Sequence, residues 1–210
     1  MDGTLVDTEK LYRRLWFETA DFFGVERKPN LAVAMSGSGV KQMPSILHRF
    51  YTAEEVDADK YIAKVFEGVK VESEKNLEVK PGVEEILKYF AENKIPMAVA
   101  SSSETFVVED RVKRLGWEKY FSALVGGDKI KNGKPAPDIF ILAAEMIKIN
   151  PADCYVFEDS FNGVRAGAAA KSSTIMVIDC VEPTEEIRNL CTAVFNDMNE
   201  ALAAIKRGEI

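Results

Sequence analysis

The sequence predicts an α/β fold, a parallel sheet flanked by helices, with a second, all-helical domain inserted near the N-terminus. Three observations carry this. From Val79 onward, short unbroken apolar runs alternate with amphipathic helical patterns, as expected for strands buried on both faces. From Leu11 to about Val71 the spacing is helical throughout. Finally, hydroxyl and charged residues follow the apolar runs, where ligands bind in an open parallel sheet.

Taken in order, Asp2-Gly3-Thr4 stands where a first strand would end. In the helical insert, Trp16, Ala20 and Phe23 recur at helical spacing, as do Ile46 with Phe50 and Ile62 with Phe66. Gly24 closes the first helix, and MSGSGV (35–40) reads as a turn between helices. Pro81-Gly82 then introduces the helix VEEILKYFAENK. The apolar runs PMAVA (96–100), FSALV (121–125), CYVF (154–157) and TIMVI (174–178) read as strands. Helices are expected over about 105–115, 137–147, 162–170, 185–191 and 197–206. The organisation is thus an α/β core made of 1–7 and 79–210, with a helical domain over 8–78.

With 210 residues, 47% hydrophobic and 29% charged, the chain has the composition of an ordinary globular protein. A net charge of -7 with scattered Lys and Arg argues against a nucleic-acid partner. No apolar run reaches the roughly 18 residues of a membrane span, and no signal peptide is evident, so neither a membrane partner nor export is expected. Cys154, Cys180 and Cys191 lack metal-ligand spacing and suit a reducing, cytoplasmic setting; Cys154 reads as a buried free thiol. The single histidine, His48, falls in the helical insert and cannot build a metal site.

The residues after the apolar runs carry the chemistry: Ser101-Ser102-Ser103, Glu158-Asp159-Ser160, and a loop ending Gly133-Lys134-Pro135-Ala136-Pro137-Asp138. Adjacent carboxylates suit a hard cation such as Mg²⁺. Hydroxyls, backbone amides and a lysine suit phosphoryl oxygens. With His48 elsewhere no serine–histidine pair is available, which leaves a carboxylate as the natural nucleophile.

These motifs, DGTLVDTE (2–9), VASSS (99–103), GKPAPDIF (133–140) and VFEDSFNGVRAG (156–167), resemble those of the haloacid dehalogenase superfamily of phosphohydrolases. The subclass is the one with a helical cap after the first motif, similar to the β-phosphoglucomutases and phosphosugar phosphatases. The resemblance runs over nearly the whole chain and implies a Rossmann-like core, Mg²⁺ and an aspartyl-phosphate intermediate. It makes Asp2 the general acid/base, with its backbone carbonyl on the metal. It makes Gly3, Thr4, Ser101, Ser102 and Lys134 phosphate-binding, Lys134 also catalytic, and Glu158 and Asp159 metal ligands. The family motif reads Asp-x-Asp-Gly-Thr, so the nucleophilic aspartate is expected just upstream of Met1. Within the cap, Glu9, Tyr12, Arg13 and Ser38 are candidates to face the substrate, with Lys41 a further possibility.

The expected activity is hydrolysis of a small phosphomonoester, of the sugar or polyol phosphate type, by a monomer. One alternative is a sugar phosphomutase. Against it stand Tyr12, where that enzyme places a histidine, and SGSGVK, where it carries an arginine. Another is a catalytically silent protein that binds Mg²⁺ and phosphate without the nucleophile.

Overall fold

The computed structural model describes the chain except Gly37, Asn76 and Cys180 and the side chains of Glu9, Glu74 and Lys75. Four helices come first: α1 (Glu9–Phe23), α2 (Leu31–Met35), α3 (Met43–Leu47) and α4 (Ala58–Lys75). Gly24 ends α1 in the left-handed region at φ 69, as its sequence position suggests. The four helices share one apolar cluster. At its centre Tyr61 lies between the Trp16 and Phe23 rings, with centroids 5.9 and 5.4 Å away, and its hydroxyl donates to the Trp16 carbonyl at 2.8 Å. Such ring pairs add roughly 0.5–1.5 kcal/mol each beyond area burial.

The remaining chain alternates as expected: α5 (Val83–Glu92), β1 (Ala98–Ala100), α6 (Thr105–Arg114), β2 (Ala123–Val125), α7 (Asp138–Met146), β3 (Tyr155–Glu158), α8 (Phe161–Ala169), β4 (Ser173–Val177), α9 (Glu185–Leu190), β5 (Ala193–Phe195) and α10 (Met198–Arg207). All strand pairs are parallel. β1 pairs with β2 in one group; β3, β4 and β5 pair in that order in another. Among the described residues no ladder joins the two groups. Between them sits Met1, buried in one cluster with Val99 of β1 and Val177 of β4, against which Phe157 of β3 packs. Sequence reading passes over β5, which stands between two helical patterns and becomes a strand through its pairing with β4.

The two chain crossings between the helical segment and the α/β part run side by side. Val6 forms an antiparallel bridge with Val79, Asp7 donates its amide to Glu78, and Lys80 donates to Leu5. Close behind, the Lys80 ammonium is ion-paired with Asp179, both side chains largely buried. The apolar cluster of α1–α4 is separate from the three clusters of the α/β part, so the crossings link two independently packed bodies. No described helix is long and apolar enough to cross a membrane.

Candidate active site

The parallel strands bring the sequence-predicted polar residues to one end. Ser101 directly follows β1, Glu158 closes β3 and Asp159 follows it, and Lys134 lies in the connection between β2 and α7. Together with Asp2 and Thr4 they line a cavity of about 640 Å³ between the α/β part and the helical segment. Tyr12 and Ser38 from the helical segment line it too.

Asp2 is the most fully engaged of these residues. Its Oδ1 accepts from the Thr8 hydroxyl at 2.7 Å and from Arg111 Nη1 at 2.5 Å, and its Oδ2 accepts from the Ser103 hydroxyl at 3.0 Å. Thr8 stands at the N-cap of α1 but leaves the helix amides uncapped, because its hydroxyl is committed to Asp2. Burial acts to raise the Asp2 pKa. The Arg111 charge and the hydrogen bonds from Thr8 and Arg111 oppose it, and the carboxyl is held below its ordinary value.

Arg111 is a neighbour of Asp2 that the motif reading misses, and Ser103, read there only as part of the hydroxyl turn, joins it. Arg111 is only 4% exposed, and it also hydrogen-bonds Tyr12 of α1. Its signal was in the sequence: with Val108 and Val112 it falls on the buried stripe of α6, where a charge needs a partner.

Asp159 is built differently. The Thr4 hydroxyl donates to its Oδ1 at 2.6 Å, and no cation pairs with it among the described residues. Burial, then the Glu158 charge, push its pKa up to about 7. Gly3 makes room for it: φ is +69, and a Cβ there would stand 2.2 Å from Asp159 Oδ2. Any side chain at position 3 would be both strained and in collision. A buried, proton-hungry carboxylate beside a second one is the donor chemistry of a divalent cation, and the residues fit such an ion.

Glu158, by contrast, is turned to Lys134. The two form a buried ion pair, each about 5% exposed. The Ser160 hydroxyl donates to Glu158 Oε2 at 3.1 Å. Burial would raise the Glu158 pKa, but the Lys134 charge and hydrogen bond bring it below the usual range. Glu158 therefore neutralises Lys134 in this arrangement, and the described residues form no cluster of three or more acidic, histidine or cysteine side chains around one point.

The hydroxyl of buried Ser101 accepts from the Ser103 amide at 3.2 Å, which shapes the turn after β1. Ser102 lines the cavity beside it. Ser38 is buried and donates to the Met35 carbonyl at 2.6 Å, leaving its oxygen to accept. Arg13 does not line the main cavity: it lies at a smaller one, shared with Asp159 and Asp179. Lys41 is exposed and lines neither. The Glu9 side chain, Gly37 and Cys180 lie outside the described residues. Cys154 is half-buried rather than buried, and its thiol donates to the Asn150 carbonyl at 3.4 Å. His48 sets its Nδ1 3.3 Å from the Tyr51 carbonyl, far in role from any ligand set.

The end of the parallel sheet thus gathers an acid, a lysine-bound glutamate and hydroxyl turns, groups suited to phosphoryl oxygens. The model of the haloacid dehalogenase-like hydrolases matches residues 1–171, and the chain belongs to that family. It is 31% identical over 177 residues to the fructose-1-phosphate phosphatase YqaB of Escherichia coli (strain K12), spanning 84% of this chain and 93% of that protein. It is 33% identical over 171 residues to the phosphorylated carbohydrates phosphatase of Thermotoga maritima, spanning 81% and 78%. A solved β-phosphoglucomutase from Clostridium difficile matches with a TM-score of 0.77 over 98% of this chain and 92% of that one. At 20% identity that likeness concerns the fold alone. Family and relatives make this chain a phosphomonoester hydrolase.

Proposed function

We propose that the chain is a Mg²⁺-dependent phosphatase for small phosphomonoesters of the sugar or polyol phosphate type, working in the cytoplasm as a monomer. Segments 1–7 with 79–210 act as core, and 8–78 as a cap over the site. The observation that carries this reading is the convergence of Asp2, Ser101, Lys134 and Asp159 on one cavity between the two bodies. The E. coli and T. maritima relatives, both named for phosphorylated carbohydrates, support the substrate class.

Asp159 and the Asp2 backbone carbonyl would hold the Mg²⁺, with Glu158 behind them balancing Lys134. When bound, the ion supplies charge that polarises the phosphoryl oxygens. Ser101 and the turn amides orient the phosphoryl group, and Lys134 neutralises its charge. The attacking group would be the carboxylate of the first aspartate in the family's Asp-x-Asp-Gly-Thr motif. Its oxygen bonds to phosphorus as the ester P–O bond breaks, and Asp2 gives the leaving oxygen its proton. Asp2 then takes a proton from the water that displaces phosphate. The bridge from Arg111 favours the ionised, base form of Asp2, so the first of these proton transfers requires that bridge to loosen.

The test is steady-state phosphate release across fructose 1-phosphate, glucitol 6-phosphate and nucleoside 5′-monophosphates. Preference for the sugar and polyol esters is expected. Preference for nucleotides, or turnover of none, would overturn the substrate class.

A further inference from the structure

Away from the phosphoryl end, the cavity is walled by one helix from each body. From α4 of the helical segment come Phe66, Val69, Lys70 and Ser73, spaced i, i+3, i+4, i+7. From α6 come Val107, Asp110 and Arg114, with Arg111 on the same helix turned to Asp2. Each face therefore runs about 10 Å along its helix, seven residues at 1.5 Å each. Phe66, Val69 and Val107 make the middle of this wall apolar, and the far end carries Lys70, Ser73 and Arg114 with one carboxylate, Asp110.

The far end holds one group without a use. The Ser73 side chain is 6% exposed, and its hydroxyl has no hydrogen-bond partner among the described residues. A buried orphan hydroxyl costs free energy unless something fills it. The Ser73 carbonyl is already taken by Arg114 Nη2 at 2.6 Å, which ties the two helices together at that point. One turn back on the same face, the exposed Lys70 ammonium makes no ion pair among the described residues. Asp110 tempers the charge of Arg114, from 3.7 Å, but not that of Lys70.

We infer that Lys70, Ser73 and Arg114 form a second subsite, one that binds an anionic group at the far end of the substrate. This rests on the phosphatase reading above, since it assumes that a phosphoryl group occupies the Lys134 end. It narrows the substrate class to phosphomonoesters carrying a second acidic group, a phosphate or a carboxylate, on an extended carbon chain. The apolar stretch of wall between the two ends packs against that chain. Ser73 donates to the anion, Lys70 supplies the charge, and Arg114, already fixed to the Ser73 backbone, sets the spacing.

The experiment is calorimetric titration of the full chain in Mg²⁺ with four probes: inorganic phosphate, fructose 1-phosphate, fructose 1,6-bisphosphate and 6-phosphogluconate. At least one doubly acidic probe is expected to bind about tenfold or more tighter than fructose 1-phosphate, the worth of one charge-assisted hydrogen bond. Which of the two it is tells phosphate from carboxylate. In Lys70→Met and in Ser73→Ala that advantage is expected to fall to within about twofold, while the dissociation constant for fructose 1-phosphate stays unchanged. Lys70 is exposed and Ser73→Ala removes only an oxygen, so both variants fold. Equal binding of singly and doubly acidic probes would overturn the subsite and leave the phosphatase reading standing. So would an advantage that survives both substitutions. Binding of none of the probes would overturn both.

Discussion

Replacing Arg111 by methionine removes a charge from the interior and leaves its partner behind. The Arg111 side chain is 5% exposed and that of Asp2 18%, with 2.5 Å between Nη1 and Oδ1. Breaking a buried pair by deleting one member costs about 3–5 kcal/mol, because the survivor is charged and unpaired. Asp2 keeps the Thr8 and Ser103 hydroxyls and some access to water, so the cost at neutral pH should be near the lower end, about 3 kcal/mol. The companion variant Asp2→Asn removes the other charge, and the double variant removes both. The double variant should then be more stable than the two single losses predict, by a coupling of about 2–3 kcal/mol. Urea denaturation of the four proteins at pH 7 measures this. A loss below about 0.5 kcal/mol in Arg111→Met, or strict additivity, would refute the claim that this bridge anchors Asp2.

Gly3→Ala should abolish phosphate release and lower stability by about 1–2 kcal/mol, since φ is +69 and the methyl collides with Asp159; steady-state kinetics and a urea curve check both. Lys134→Met leaves Glu158 buried without its cation, so melting should fall and Glu158 should become protonated at a higher pH than in the wild type, read by carboxyl titration in NMR. For pH, Asp159 titrates at about 7 when folded, above its unfolded value of about 4, so the folded protein holds this proton more tightly. Its effect on metal-free stability is therefore favourable below about 4 and is lost as pH rises through about 7. Asp2 and Glu158 are shifted the other way, so their contribution is lost only as pH falls below about 4, outside that window. Melting temperature without metal should fall from pH 5 to pH 8, Mg²⁺ should flatten the fall, and Asp159→Asn should abolish it.

Most of the fold was legible because its signals are local. The runs PMAVA, FSALV, CYVF and TIMVI each mark a strand to within a residue or two, and the helices begin and end within two residues of their expected bounds, α5 stopping two residues short of the end of VEEILKYFAENK. The strand β5 was not legible, since AVF falls between two helical patterns and only its pairing with β4, a tertiary fact, makes it a strand. In the site, the residues directly after strands were found because a parallel sheet gathers them. Arg111 was not, because its role depends on which face of α6 meets Asp2, a tertiary fact. Glu158 shows the same limit: two adjacent acids read alike in sequence, but the chain turns one to Lys134, while burial and then the Glu158 charge raise the pKa of the other, Asp159. Arg13 was expected at the substrate for its place on α1, and the helix instead carries it toward the smaller cavity.

The most direct measurement is release of inorganic phosphate from fructose 1-phosphate by the wild type and Asp159→Asn, each in Mg²⁺ and in EDTA. Turnover only by the wild type and only in Mg²⁺ is the expected result. Release that persists in EDTA, or that Asp159→Asn leaves at the wild-type rate, would contradict a metal-assisted phosphatase built around the acidic end of β3.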